Sequence, residues 1–293
     1  MFAGMLRAGG PWRTWLRRTT QPMRTVGPLQ SVLDATPPKL PPDALMEPRR
    51  QYVILFTPRS GSSHLAEGLT TAGVGDPREW LHPDYLAERA AMFGARTFED
   101  YFELLRCCCS RDGVFGHKMT MLFYDAFDRE VRLDDHFDFG GPTICLYRED
   151  IVEQAVSLAF AEHRDVWHDT NGIEPEGLGA VPYDAAKIRG RLIWLSKLER
   201  RMAGFIAGRK MPVRYISYEK LVASSLTDVV RAVGAFIDVK PDDGSLTSSH
   251  RKLGNSLNRE FADRFAAENA DMIASIARGR RSFLKRAAQF PLL

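Results

Sequence analysis

Four short apolar runs constrain this chain more than any other feature: Tyr52–Phe56, Val114–Thr120, Thr143–Tyr147 and Val213–Tyr218. Each is rich in β-branched and aromatic residues, and each reads as a strand. Helical patterns fill the intervals, at residues 97–109, 121–131, 149–168, 184–208 and 219–238. Strands that alternate with helices build a mostly parallel central sheet with helices on both faces, which gives an α/β class. Ligands of such sheets bind beyond the carboxyl ends of the strands. Residues that directly follow the four runs are therefore the first place to look for function.

The first run leads into Thr57-Pro58-Arg59-Ser60-Gly61-Ser62-Ser63 and then at once into a helical pattern carrying Leu65 and Leu69 on one face. A turn of this kind at a helix start offers free backbone N–H groups and the positive end of the helix dipole. Gly61 lets a ligand approach the backbone, the serines add donors, and Arg59 brings a fixed charge shaped for phosphate or sulfate oxygens. A serine N-cap and nothing more is the plain alternative. The Walker A pattern is absent, since no lysine follows Gly61. The third run ends in Arg148, a second cation at a strand end. Behind it, Asp150 and Glu153 have the spacing of a capping box. Ile151, Val152, Ala155, Val156, Ala159 and Phe160 form an apolar stripe, with Gln154 and Ser157 opposite it. Two separated cationic sites point to a ligand with two phosphate-like groups.

Composition narrows the class. With 40 basic and 37 acidic residues and a net charge of +3, the chain gives no support for general nucleic-acid binding. Three of its four cysteines are consecutive, Cys107 to Cys109, which fits neither a disulfide framework nor a zinc site. They read as buried apolar surface in a reducing, cytoplasmic compartment. His163 and His168 do not share a helix face, so no metal is assigned. No transmembrane run is present. The first 33 residues hold five arginines and no acid, compatible with an organelle transit peptide, a disordered extension or a mis-assigned start. The Pro-rich stretch Thr36–Pro48 reads as a linker. The expected division is a flexible extension and linker over 1–49, one domain over 50–270 and a basic tail over 271–293. Within that tail, Arg278–Arg286 reads as a solvated helix, with weak contact to a membrane surface as a further option.

Taken together, "PRSGSS", "GDPREW" (Gly75–Trp80), "GVFGHKM" (Gly113–Met119) and "YREDIVEQAVSL" (Tyr147–Leu158) resemble the PAPS-dependent sulfotransferases, and most closely the bacterial trehalose 2-sulfotransferase family. "NSLNREFADRF" (Asn255–Phe265) is a weaker echo. The resemblance runs over residues 52 to 265 and implies the P-loop-like sulfotransferase fold. It implies that PAPS is the co-substrate. Arg59, Ser60, Gly61, Ser62 and Ser63 would cradle its 5′-phosphosulfate, and Arg148 and Ser157 would hold its 3′-phosphate. Glu79 would be the general base.

Sulfuryl transfer needs charge stabilisation at the departing phosphate, for which Arg59, the turn N–H groups and Lys118 are the candidates. Lys118 reads equally as a surface lysine, and His117 is the rival base. Trp80 is a sugar-stacking platform or a core residue. The reading is an enzyme that moves a sulfuryl group to a hydroxyl of a carbohydrate or glycolipid, with no metal. A P-loop-like kinase and a catalytically inactive PAP-binding protein are the alternatives. Segments Asp84–Arg111 and Asn171–Tyr183 are the expected acceptor loops, and a homodimer is compatible with the sequence.

Overall fold

The computed structural model describes residues 29–36, 46–164, 181–242, 244, 246 and 256–293. The four runs form strands β1 (Arg50–Phe56), β2 (Val114–Met119), β3 (Thr143–Tyr147) and β4 (Val213–Ser217), in one sheet of order β2-β1-β3-β4. Every pairing is parallel, with Leu55 opposite Met119, Phe56 opposite Leu146 and Tyr147 opposite Ser217. The α/β class and the parallel sheet are as expected. β2 and β4 each stop one residue early because Thr120 and Ser217 cap the helices that follow. Their hydroxyls accept from the Phe123 N–H at 3.4 Å and the Lys220 N–H at 3.1 Å.

The helices are α1 (Leu29–Asp34), α2 (Ser62–Thr71), α3 (Leu86–Phe93), α4 (Phe98–Cys108), α5 (Met121–Phe127), α6 (Ile151–Arg164), α7 (Ala185–Arg209), α8 (Tyr218–Ala223), α9 (Leu226–Ile237), α10 (Ser256–Glu268) and α11 (Ala270–Gln289). The single helix expected over 219–238 is two helices, because the Ser225 hydroxyl accepts from the Asp228 N–H at 3.3 Å and starts a new one. Residues 165–168 of the expected 149–168 helix, His168 among them, lie outside the described residues, as does most of the Asn171–Tyr183 segment.

Alternation along each strand sorts the core into two faces. Val53, Leu55, Phe115, Cys145 and Tyr215 pack with α1, α3, α4, α5, α7 and α11. Tyr52, Ile54, Phe56, Ile144 and Ile216 pack with α2, α8 and α9. A third cluster joins α6, α7 and α10. β1 has β2 on one side and β3 on the other, so the chain's connections diverge at its carboxyl end. Such a divergence leaves a crevice for a ligand.

Both ends depart from expectation. Residues 29–36 lie within the segment expected to be flexible, yet α1 buries Leu29 and Leu33. The Glu130 carboxylate accepts from the Leu29 and Gln30 N–H groups at 2.7 and 3.1 Å, satisfying helix-start donors. Residues 271–293 are an integral layer of the domain rather than a tail. Phe283 meets the rings of Tyr147 and Tyr215 edge-on at 5.3 and 5.9 Å, and Arg280 is buried with it. Such burial contributes roughly 2 kcal/mol for one aromatic side chain. Beyond the helix, Phe290 O accepts from the Tyr215 N–H, and the Leu292 N–H donates to Tyr215 O, at 2.9 and 2.8 Å. The cysteine run is also less buried than expected. Leu104 and Leu105 take the core positions of α4, leaving Cys108 exposed and Cys107 and Cys109 half-buried, all as free thiols. Among the described residues no helix is long and apolar enough to cross a membrane.

Candidate active site

The turn after β1 is held in a conformation that side chains rarely favour. Arg59 has φ 67° and Gly61 φ 84°. A bulky residue at positive φ is strained and persists only where its surroundings over-determine it. Two side chains do this. The Ser60 hydroxyl donates to Thr57 O at 2.7 Å, and the Gln154 amide of α6 donates to Thr57 Oγ1 at 2.8 Å and to Pro58 O at 2.7 Å. Glycine is favoured at 61 on two counts, its positive φ and the tight space, since a Cβ there would lie 3.0 Å from the Tyr218 ring and 3.1 Å from Leu221. Gly61, the N-cap of α2, has no side chain with which to cap it, and the N–H groups of such a helix start are ready anion donors.

On the β3 side, Arg59 Nε donates to Ser157 Oγ at 3.1 Å. The Arg148 guanidinium stacks on the Tyr218 ring at 4.5 Å, donates from Nη2 to Glu153 at 2.6 Å and lies 3.5 Å from Glu219 through Nε. Arg59 and Arg148 are close enough to repel. Burial first, and the Arg148 charge second, push the Arg59 guanidinium down to about 10, which leaves it charged at neutral pH. Two guanidiniums that repel across a crevice are a fit for an anion. The two cations expected at separate sites are thus near enough to feel each other's charge, and Ser157 is hydrogen-bonded to Arg59.

On the β2 side, Lys118 is buried, 6% exposed, rather than on the surface. Its ammonium lies 3.1 Å from Glu79 Oε1, donates to Ser63 Oγ at 3.3 Å and sits 5.5 Å from the Phe56 ring centre. Glu79 reaches this position because the loop after α2 runs back along β2. The Lys118 N–H donates to Arg78 O at 2.9 Å, and Pro77 approaches so closely that a Cβ on Gly116 would lie 2.9 Å from it. Arg89 locks the loop from behind by donating to the carbonyls of Glu79 and Trp80 at 2.7 and 2.6 Å.

The profile of the Stf0 sulphotransferase family matches residues 51–268, well over half of the chain. The chain belongs to this family. The membership agrees with the resemblance to the trehalose 2-sulfotransferases and makes the chain a sulfotransferase in class. A search of curated proteins finds no match.

The Stf0 domain thus brings Arg59, Ser60, Gly61, Ser62, Ser63, Glu79, Lys118, Arg148 and Ser157 to the carboxyl edge of one sheet. It does not bring His117 there. Lys118 and His117 point to opposite faces of β2, and His117 lies 5.4 Å from the Phe137 ring with neither ring nitrogen hydrogen-bonded. Burial, with a smaller push from Arg89, pulls its imidazole down to about 3, so it is neutral at physiological pH. Trp80 is a core residue: it is buried and donates from Nε1 to Gly116 O at 3.0 Å. Three site features escape a sequence reading. Gln154, opposite the apolar stripe, is buried against the Arg59 turn rather than solvated. Glu153 does not complete the capping box; Asp150 accepts from the Glu153 N–H at 2.8 Å, but the Glu153 carboxylate turns to Arg148. Glu219 accepts from the N–H groups of Glu149 and Asp150 at 2.9 and 3.3 Å, fixing the Arg148 loop. The first has a signal, a long polar side chain one helical turn from Ser157; the other two have none.

Proposed function

We propose that this sulfotransferase moves a sulfuryl group from PAPS to a hydroxyl of a carbohydrate or glycolipid. The observation that carries this reading is Lys118, whose ammonium lies 3.1 Å from the Glu79 carboxylate and 3.3 Å from the Ser63 hydroxyl at the start of α2. One cation there serves both an anion cradle and a proton acceptor. Arg59, Ser60, Gly61, Ser62 and Ser63 would hold the 5′-phosphosulfate, and Arg148 with Ser157 the 3′-phosphate.

In the reaction the acceptor oxygen forms a bond to sulfur, and the bond from sulfur to the phosphate oxygen breaks. The acceptor proton goes to the Glu79 carboxylate. That carboxylate is a weak base, but the hydroxyl grows more acidic as the new bond forms. Negative charge grows on the departing phosphate oxygen, where Lys118 and the α2 N–H groups stabilise it. Nothing in this scheme calls on a metal, whereas the kinase alternative requires Mg²⁺.

The test is calorimetric titration of PAP into the metal-free protein, repeated with Arg59→Ala and Arg148→Ala. Micromolar binding to the parent that falls out of the micromolar range in both variants, so that only high PAP reveals it, is the expected result. A folded parent that ignores PAP would overturn the reading, and nucleoside triphosphates with Mg²⁺ would then be tried. PAP binding without turnover over a wide panel of carbohydrates would favour the inactive alternative.

A further inference from the structure

The family match ends at residue 268, before α11 begins at Ala270. Yet α11 reaches the site. Arg280, Phe283 and Ala287 share one buried face at helical spacing. Phe283 packs against Tyr147, the residue before Arg148, and Arg280 lies one turn nearer the carboxyl ends of the strands.

The Arg280 fork makes four contacts. It pairs with both Glu199 oxygens of α7 at 2.8 Å, and it donates to Arg148 O at 2.6 Å and to Glu149 O at 2.8 Å. The loop from β3 to α6 is thereby gripped on both sides. Glu219 takes its N–H groups and Arg280 takes its carbonyls. A buried ion pair costs about as much in desolvation as it returns in attraction, so net stability is a poor account of it. What a rigid planar fork supplies is direction.

We propose that Arg280 is a positioning residue of the donor site, aiming Arg148 at its anion by fixing the backbone of the loop that carries it. The inference rests on the reading of Arg148 as a ligand of the PAPS 3′-phosphate. The polar grip of α11 on that loop lies outside the residues that the family profile matches.

The test is PAP calorimetry on the full chain with Arg280→Lys, reading dissociation constant and stoichiometry separately. Misaimed Arg148 raises the dissociation constant by about tenfold at one site per chain. A merely structural lesion lowers the number of competent sites and leaves the constant alone. In Arg148→Ala protein, titrated at high PAP, the same Arg280 change should alter the constant less than about twofold, since the residue acts through Arg148. If Arg280→Lys does not fold, Arg280→Met with Glu199→Leu removes both buried charges together and is read in the same way. An unchanged constant, or a loss of sites at an unchanged constant, overturns the proposal. Failure of the parent to bind PAP, or parent-like binding by Arg148→Ala, overturns the underlying reading as well and is seen before Arg280 is touched.

Discussion

The two sides of the crevice are built to different tolerances. On the β3 side Arg148 is 8% exposed, stacked on Tyr218 and paired with Glu153, and its loop is held by Glu219 at two N–H groups and by Arg280 at two carbonyls. On the β2 side Lys118 pairs with Glu79 and donates to Ser63, and the Glu79 side chain is 27% exposed. Binding a fixed anion is served by cations whose ordering entropy is spent before the ligand arrives. Moving a proton and a charge is served by groups that can change partners during the reaction. In the proposed reaction the first side recognises the donor and the second side performs the transfer.

The largest effects test that division directly. Glu79→Gln keeps the shape and removes the base. Its kcat, followed as PAP release from PAPS over a carbohydrate panel, should fall by roughly 10²–10³-fold, while the PAP dissociation constant stays within about twofold of the parent. Lys118→Ala should lower kcat by a similar order, with weaker PAP binding in addition because Ser63 loses its partner. A Glu79→Gln protein that turns over normally but binds PAP poorly would reverse the two roles.

What the sequence made legible follows from the range of the forces involved. The strands, the turn at Gly61 and the cations Arg59 and Arg148 were readable because periodicity, glycine and strand-end position are local properties. The partners of Arg148 were not. Glu219 lies 71 residues from it and Arg280 lies 132 residues from its carbonyl, and only the folded sheet joins them. For the same reason α11 read as a basic tail: its arginines are visible in sequence, but the burial of one of them is decided by Glu199 on another helix. Lys118 and His117 show the same limit at close range. Both are polar residues on one strand, and only the registry of β2 decides which faces the crevice.

His117 sharpens the comparison through stability rather than turnover. Its imidazole titrates near 3 in the fold, because of burial, and near 6.5 in the unfolded chain. Between those values the unfolded chain carries the extra proton, so this group's contribution is complete above pH about 6.5 and is lost as pH falls towards 3. Urea unfolding of the parent should therefore lose about 2 kcal/mol more than His117→Leu does between pH 7 and pH 5. Turnover at pH 7 should survive the substitution. A fall in kcat comparable with that of Glu79→Gln would return His117 to the list of bases and move the reacting centre to the other face of β2.

The smallest effect concerns a charge of the wrong sign. Glu153 lies 2.6 Å from Arg148 and 3.2 Å from Arg259, where a bound 3′-phosphate would feel its repulsion. Glu153→Gln removes that charge and keeps an oxygen that accepts from Arg148. Because Arg280, Glu219 and Tyr218 still hold Arg148, the substitution should tighten PAP binding, by about threefold at low salt. The gain should shrink as ionic strength rises, since Glu153 is partly open to solvent. Weaker binding instead would mean that Glu153 is needed to orient Arg148, and that the grip of Arg280 on the loop behind it is insufficient by itself. The sign of this small change therefore decides whether the donor side is aimed from the backbone or from the side chain.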